Sequence, residues 1–267
     1  MTGRTMDEAP LAERFEFGSA LIAEAGELAL SYYERRASLA VRSKGTQDMV
    51  SEADVEVERL IRGRLAARFP GDAFLGEETG RADVEGAAGI WVVDPIDGTQ
   101  PFISDLTSWC VSIGYVHEGR VEMGFLAAPA RDEVFTGWRG HGATLNGRPI
   151  AVSGSTGLND GLLCIGMSPR ISADQILAYV EPLLRRGVVY YREGSGALSL
   201  AYVAAGRLIG YVEAHLNSWD GLAGVALVEA AGGRVNDFLA GDALWKGGPI
   251  VATSPALYPE LAEIMGV

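Results

Sequence analysis

The sequence predicts a layered α/β protein, and three features of it point that way. Two amphipathic helices come first. A block of short apolar or alternating runs follows, broken by Gly, Pro and charged turns. Strand-like and helix-like stretches then alternate through the second half. The 267 residues are 48% hydrophobic and 21% charged, the composition of a globular chain with ample core material, which excludes disorder, collagen and coiled coil. No Pro/Ser-rich linker or low-complexity tract divides the chain. One domain over residues 1–267 is therefore expected, with lobes of about 1–153 and about 154–267.

Leu11, Phe15, Ile22, Ala25, Leu28 and Tyr32 form a rough i, i+3, i+4 stripe between Pro10 and the polar run Glu34-Arg35-Arg36, which predicts a long helix. A second helix opens at Ser51, with Asp54 as capping-box partner, and runs through Leu60, Ile61 and Leu65 to the stop at Phe69-Pro70-Gly71. AFLGEE, GIWVVDP, SWCVSIGYV, RVEMGFLAAP and DEVFTGW then read as strands, with HEGR at 117–120 as a hairpin connection. Beyond them GLLCIG, VVYY, RLIGYVE and PIVATS read as strands. They alternate with helices in ADQILAYVEPLLRR, ALSLAYVAAG, WDGLAGVALVEAAG and the C-terminal segment. Pairing is expected to be antiparallel early, with strand–helix alternation late, and there is no internal repeat.

Lys and Arg number 22 against 35 Asp and Glu, a net charge of −13, the wrong sign for binding nucleic-acid phosphates. A protein that holds a small phosphate under this charge needs metal ions, arginine clusters or helix N-termini to reverse the local sign. No apolar stretch approaches the ~20 residues that span a bilayer. The start MTGRTMDEAP lacks a basic and an apolar leader region, so a cytoplasmic location without membrane attachment is expected. Cys110 and Cys164 lie in strand-like apolar runs and read as reduced, buried thiols without a catalytic role. His117, His141 and His215 have no metal-binding spacing. There is no GxSxG elbow or Walker motif, and Gly194-Ser195-Gly196 is too short for a dinucleotide site.

The chemistry concentrates in WVVDPIDGTQPF, Trp91 to Phe102. Trp91-Val92-Val93 reads as a buried strand and Asp94-Pro95-Ile96-Asp97-Gly98-Thr99 as the sharp turn that leaves it, aiming two carboxylates at one small volume. A plain surface turn is the competing reading, since Asp, Pro and Gly are the commonest turn formers. Gly76-Glu77-Glu78 and Ser218-Trp219-Asp220-Gly221 again put carboxylates at strand exits, although Asp220 on its own reads as a helix N-cap. Taken together, Glu77, Asp94, Asp97 and Asp220, with no Cys/His cluster, are the ligand set of Mg²⁺ or Mn²⁺ rather than of zinc or iron.

On these residues the chain resembles the inositol monophosphatase family of magnesium-dependent, lithium-inhibited phosphomonoesterases. The resemblance covers nearly the whole chain. It rests on GEE at 76–78, WVVDPIDGT at 91–99, GHGATLNGRPI at 140–150 and WDGLAGVALVEAAGG at 219–233. It implies the α-β-α-β-α sandwich shared by inositol monophosphatases and fructose-1,6-bisphosphatases, two or three Mg²⁺ ions per subunit (or Mn²⁺), and a homodimer.

The resemblance also implies roles. Glu77, Asp94 and the carbonyl of Ile96 would hold one ion, Asp94, Asp97 and Asp220 a second, and Glu77 also a weaker third. Gly98 and Thr99 would offer amides to the phosphate, as a helix N-terminus can. Asp54 would support Thr99 as well as cap its helix. Metal ions would neutralise the phosphate and lower the pKa of the attacking water, with Glu77 and Thr99 orienting that water and no covalent intermediate. Asp97, Ser195, Gly196, Ala197, Glu213 and Asp220 would meet the substrate.

Glu213 would accept hydrogen bonds from polyol hydroxyls, which favours myo-inositol monophosphate. Gln100-Pro101 departs from the family's usual Thr-Asn and Pro101 removes an amide donor. Histidinol phosphate, fructose-1,6-bisphosphate and adenosine 3′,5′-bisphosphate are therefore the alternative substrates. A non-catalytic regulatory protein is the competing class, disfavoured because four close carboxylates without cations would only cost stability.

Overall fold

Helices and sheets alternate in five layers in the structure, a computed structural model that describes residues 9–38, 41–45, 48–82, 87 and 89–267. The first eight residues, which carry most of the leader reading, lie outside the described residues. The chain order is α1 (Ala9–Glu34), β1 (Val41–Gly45), β2 (Asp48–Ser51), α2 (Glu52–Arg68), β3 (Ala73–Gly76), β4 (Gly80–Ala82), β5 (Gly89–Asp97) and α3 (Thr99–Ile103). It continues with β6 (Cys110–His117), β7 (Arg120–Ala128), β8 (Glu133–Trp138), β9 (Gly142–Leu145), β10 (Arg148–Ile150), β11 (Leu162–Ile165), α4 (Ala173–Arg185) and β12 (Val189–Tyr191). The last elements are α5 (Gly196–Ala204), β13 (Gly210–Leu216), α6 (Ser218–Ala230), β14 (Arg234–Val235), α7 (Ala243–Lys246), β15 (Gly248–Thr253) and α8 (Tyr258–Met265).

An eight-stranded sheet runs β10-β9-β8-β7-β6-β5-β3-β4, and a five-stranded sheet runs β12-β11-β13-β15-β14. In the first, only β3 and β5 pair in parallel. In the second, β11 pairs in parallel with both β12 and β13, while β13–β15 and β14–β15 are antiparallel. The expected shift from antiparallel pairing to strand–helix alternation is thus present. Glu118 and Gly119, both at positive φ, form the two-residue connection between β6 and β7.

The apolar run of β5 shows why the layers form. Trp91 and Val93 face the core under α1 and α2, with Ile22, Ile61 and Phe125. Ile90 and Val92 face the core between the sheets, with Leu200 of α5 and Leu222 and Leu227 of α6. A strand buried on both faces needs an unbroken hydrophobic run. A third core, with Tyr179, Leu183, Val212, Val251 and Leu261, seals α4 and α8 onto the outer face of the smaller sheet.

Helix α6 lies unusually close to the large sheet. Gly114, Gly124 and Gly137 are direct partners across β6, β7 and β8. A Cβ on Gly114 would stand 3.0 Å from Leu222 Cβ, and one on Gly124 would strike the Ala223 backbone. This glycine stripe brings the start of α6 down beside β5 and β6, where Ser112 Oγ donates to Trp219 O at 3.3 Å.

Ser51 caps α2 reciprocally with Asp54, as the sequence predicts. Val57 and Glu58 lie on the buried face of that helix, and Leu60 does not. Both cysteines are free and buried. No helix among the described residues is long and apolar enough to cross a membrane. The short elements β1, β2, β4, β9, β10, β14 and α7 carry no sequence signal of their own.

Candidate active site

Asp94 and Asp97 are three residues apart, so on a regular strand they would face opposite sides. The structure corrects the expected turn: β5 continues through Asp97, and a bulge resolves the conflict. Asp94 pairs with Ser112 and Asp97 with Cys110, so three steps on β5 answer two on β6. The extra residue, next to Pro95, turns both carboxylates toward the same pocket, a use bulges have beside functional sites. Asp94 Oδ1 accepts the Ile96 amide at 2.9 Å, which fixes the bend.

Asp220 comes from the first turn of α6, where Asn217 is the cap residue, so Asp220 is not the N-cap. Asn217 Nδ2 donates to Asp220 Oδ2 at 3.1 Å. One oxygen from each of Asp94, Asp97 and Asp220 lies within 4.8 Å of the others. Asp94 is only 2% exposed. None of the three forms an ion pair among the described residues.

The electrostatics follow from that crowding. Burial raises the Asp94 carboxyl well above the usual range, and Glu77, Asp97 and Asp220 push it further. Burial, then Asp220, lifts Asp97 to about 7 against the pull of Ser195 and the Ala197 amide. Burial also raises Asp220, against the pull of the Asn217 side chain that donates to it. Three crowded carboxylates, two buried and Asp220 half-buried, need protons or a cation between them. With no nitrogen or sulfur donor in the set, the residues fit Mg²⁺ or Mn²⁺. Glu77, half-buried at the exit of β3 with its amide donating to Val93 O at 3.1 Å, acts on Asp94 but stands outside the tight trio.

Thr99 lies at the start of α3, directly after Gly98. Gly98 has φ 94°, and a Cβ there would come within 2.7 Å of Ser108 O, so only glycine makes this turn. Thr99 Oγ1 is 3.1 Å from Ile96 O and 3.3 Å from Asp54 Oδ1, both acceptors for its single proton. Asp54 is fully buried. Burial raises it to about 6, against the Ser51 hydroxyl and amide that donate to its other oxygen. Asp54 therefore joins the cap of α2 to Thr99. Pro101 falls in the first turn of α3, where an amide has no helical partner to lose, and it packs against Gly194.

The loop before α5 serves Asp97. Ser195 Oγ and the Ala197 amide both donate to Asp97 Oδ2 at 2.6 Å, and Ser195 Oγ also accepts the Leu198 amide at 3.1 Å as the N-cap. Of the three residues expected to meet substrate here, Gly196 is half-buried beside Asp220, and the polar groups of the other two are committed to Asp97. Glu213, on β13, is 5% exposed, and Tyr211 OH donates to its Oε2. Burial raises Glu213 to about 8.

Sequence reasoning missed Glu58, Asn217 and Tyr211. Glu58 is 1% exposed, and its two oxygens accept the amides of Glu78 and Thr79, each at 2.9 Å. It brackets the turn that carries Glu77. A signal existed, since Asp54, Val57, Glu58, Ile61 and Leu65 share one helix face and two acids on that stripe are out of place.

The inositol monophosphatase family profile matches residues 11–266. The inositol-1-monophosphatase of Mesorhizobium japonicum is 38% identical over 229 residues, 85% of this chain and 86% of that protein. A protein named Nus factor SuhB from Pseudomonas aeruginosa is 38% identical over 243 residues, 89% of this chain and 90% of that protein. Among solved structures, the extragenic suppressor protein suhB from Bartonella henselae superposes with a TM-score of 0.86 at 32% identity, covering 94% of this chain and 97% of that one. The inositol monophosphatase from Anabaena superposes with a TM-score of 0.80 at 30% identity, covering 97% of each chain. With the layered fold and the acidic pocket already in place, this chain belongs to the inositol monophosphatase family.

Proposed function

We propose that the protein is a cytoplasmic, Mg²⁺-dependent phosphomonoesterase that hydrolyses a small phosphate monoester, with myo-inositol monophosphate as the reference substrate. The observation that carries this reading is the trio of buried Asp94 and Asp97 with half-buried Asp220, whose oxygens converge within 4.8 Å with no side-chain cation paired to them among the described residues. Those three, with Glu77 and the Ile96 carbonyl, would hold divalent ions. Such ions, when bound, supply positive charge to the phosphate oxygens and favour ionisation of the attacking water.

The chain's own groups do the rest. Gly98, in its left-handed conformation at the start of α3, and Thr99 would offer their amides to phosphate oxygens. Thr99 Oγ1, held by Asp54, and the Glu77 carboxylate would orient water for in-line attack. Ser195 and Ala197 keep Asp97 fixed. Gly196 and Glu213 border the leaving group. Lithium inhibition and a homodimer belong to the same reading. Histidinol phosphate, fructose-1,6-bisphosphate and adenosine 3′,5′-bisphosphate are the other substrates to try.

A phosphate-release assay over these monoesters and p-nitrophenyl phosphate, with and without Mg²⁺, tests the reading. Mg²⁺-dependent release from at least one of them supports it, and no release from any overturns it. Relatives that carry the name Nus factor favour a second reading, a regulatory protein of this fold. Loss of release from every monoester in a folded, Mg²⁺-loaded protein would leave that reading standing alone.

A further inference from the structure

Two loops hold the turn that leaves β5. Gly98 lies against the loop 104–109 on one side, where a Cβ would come within 2.7 Å of Ser108 O, and against Ser195 on the other, 3.3 Å from its Cβ. Pro101 of α3 meets the same second loop, since a Cβ on Gly194 would stand 3.1 Å from Pro101 Cγ. That loop, 192–195, ends in the Ser195 hydroxyl that donates to Asp97 Oδ2 at 2.6 Å. The placing of Gly98, Thr99 and Asp97 therefore depends on how the two loops are held relative to each other. Among the described residues no backbone hydrogen bond joins them.

One side chain does. Arg131 ends the single-turn segment Pro129–Arg131 between β7 and β8, outside both loops. Its Nε donates to Thr107 Oγ1 and its Nη2 to Ser108 Oγ, each at 3.2 Å. Nη2 also donates to Glu193 Oε1, and Nη1 to the Tyr202 hydroxyl. Glu193 has no exposed side-chain surface, and its other oxygen accepts the Tyr191 hydroxyl. Tyr202 OH in turn donates to Glu133 Oε2 at 3.0 Å, and Arg207 pairs with Glu133. All three guanidinium nitrogens are thus committed, and the anchor in the 192–195 loop is a fully buried carboxylate, which is costly to keep there without its cation. A planar fork spreads donors over both loops at once, a geometry that the point charge of a lysine does not reproduce.

We propose that Arg131 is a positioning residue for the hydrolytic site, which clamps the 104–109 and 192–195 loops together and so fixes the Gly98–Thr99 turn against Ser195 and Asp97. This rests on the phosphomonoesterase reading and deepens it. Arg131 itself contacts none of the carboxylates assigned to the ions, so it acts through Ser108 and Glu193. Because the clamp serves the phosphate end of the pocket, every monoester should feel its loss equally, in contrast to a change at Glu213.

Arg131→Gln and Arg131→Lys test the clamp. The expected result in both is a kcat/KM at saturating Mg²⁺ lowered about tenfold, by the same factor for the best hydroxyl-bearing substrate and for p-nitrophenyl phosphate. Mg²⁺ affinity, read by calorimetric titration, should weaken about tenfold as Asp97 loses its fixed support. A role in stability alone would lower the Tm and leave both readouts at wild-type values well below it. A wild-type value of either readout in folded Arg131→Lys overturns the proposal, as does a fall in kcat/KM confined to one ester. Should neither variant fold, Glu193→Gln, which keeps the shape and weakens only the charged contact, decides: Mg²⁺ affinity lowered at least about threefold supports the clamp, and an unchanged isotherm overturns it. No release from any ester by the wild-type protein defeats the phosphomonoesterase reading and leaves the Mg²⁺ isotherms to decide the clamp, whereas release that the variants match defeats the clamp alone.

Discussion

Glu58 and the trio of buried Asp94 and Asp97 with half-buried Asp220 are both acids withdrawn from water, yet they answer it in opposite ways. Each oxygen of Glu58 accepts a backbone amide, so its lone pairs are satisfied within the fold. The trio's oxygens converge, and their charges raise the proton affinity of Asp94 and Asp97. Burial alone therefore does not mark a site in this protein. What marks it is that three carboxylates, each with a donor of its own, still bring oxygens within 4.8 Å of one another, a cost the fold meets only if protons or cations fill the space.

The sharpest way to break that comparison is to neutralise one acid of each kind. Asp94→Asn should cut turnover by at least about a thousandfold, because the residue belongs to both proposed ion sites. The metal-free fold should survive, with a Tm equal to or above the wild type, since one of three repelling acids is gone. Near-normal phosphate release would sink the assignment. Glu58→Ala should do the reverse to stability: two amides lose their acceptor at about 1–3 kcal/mol each, seen as a lower Tm in thermal melts. A wild-type Tm in that variant would show that the bracket around Glu77 is dispensable.

Smaller effects sharpen the picture. Glu213→Gln keeps an acceptor for Tyr211 but loses a charged contact to the leaving group, about 1.5–3 kcal/mol. The ratio of kcat/KM for the best hydroxyl-bearing substrate to that for p-nitrophenyl phosphate should drop about ten- to a hundredfold. A parallel fall in both would make Glu213 a support of the fold or the metal site.

The smallest effect is a pH trend. Asp54, Asp97 and Glu213 are raised to about 6, about 7 and about 8. Between the ordinary carboxylate range and those values the folded chain holds protons that the unfolded chain has released. Stability of the metal-free protein is therefore greatest below about pH 4 as far as these groups decide it, and is lost as pH rises toward about 8. Thermal melts in a chelator across that range should show a falling Tm, and Mg²⁺ should lift the Tm most at the alkaline end. A chelated Tm that rises with pH would contradict the upward shift that burial gives these acids.

The sequence makes the acids legible and hides the geometry that unites them. Glu77, Asp94, Asp97 and Asp220 stand out because carboxylates follow buried runs, and the layered fold follows from the periodicity of those runs. The β5 bulge is not legible, because it depends on register with β6, a partner distant in local pattern. The same holds for the stripe Gly114, Gly124 and Gly137: each reads as a lone glycine in a strand until pairing aligns them under α6. Ser195 shows a further gap, since nothing local reveals that its hydroxyl belongs to Asp97, 98 residues away. Helix α2 was open to a closer reading, with Glu58 set in its apolar stripe.

The central claim is that the Asp94, Asp97 and Asp220 pocket is a divalent-cation site. Calorimetric titration of the chelator-treated protein with Mg²⁺ near neutral pH tests it most directly. The account predicts saturable binding of at least two ions per chain, with loss of binding in Asp94→Asn. No saturable heat, or the same isotherm in the variant, would contradict it.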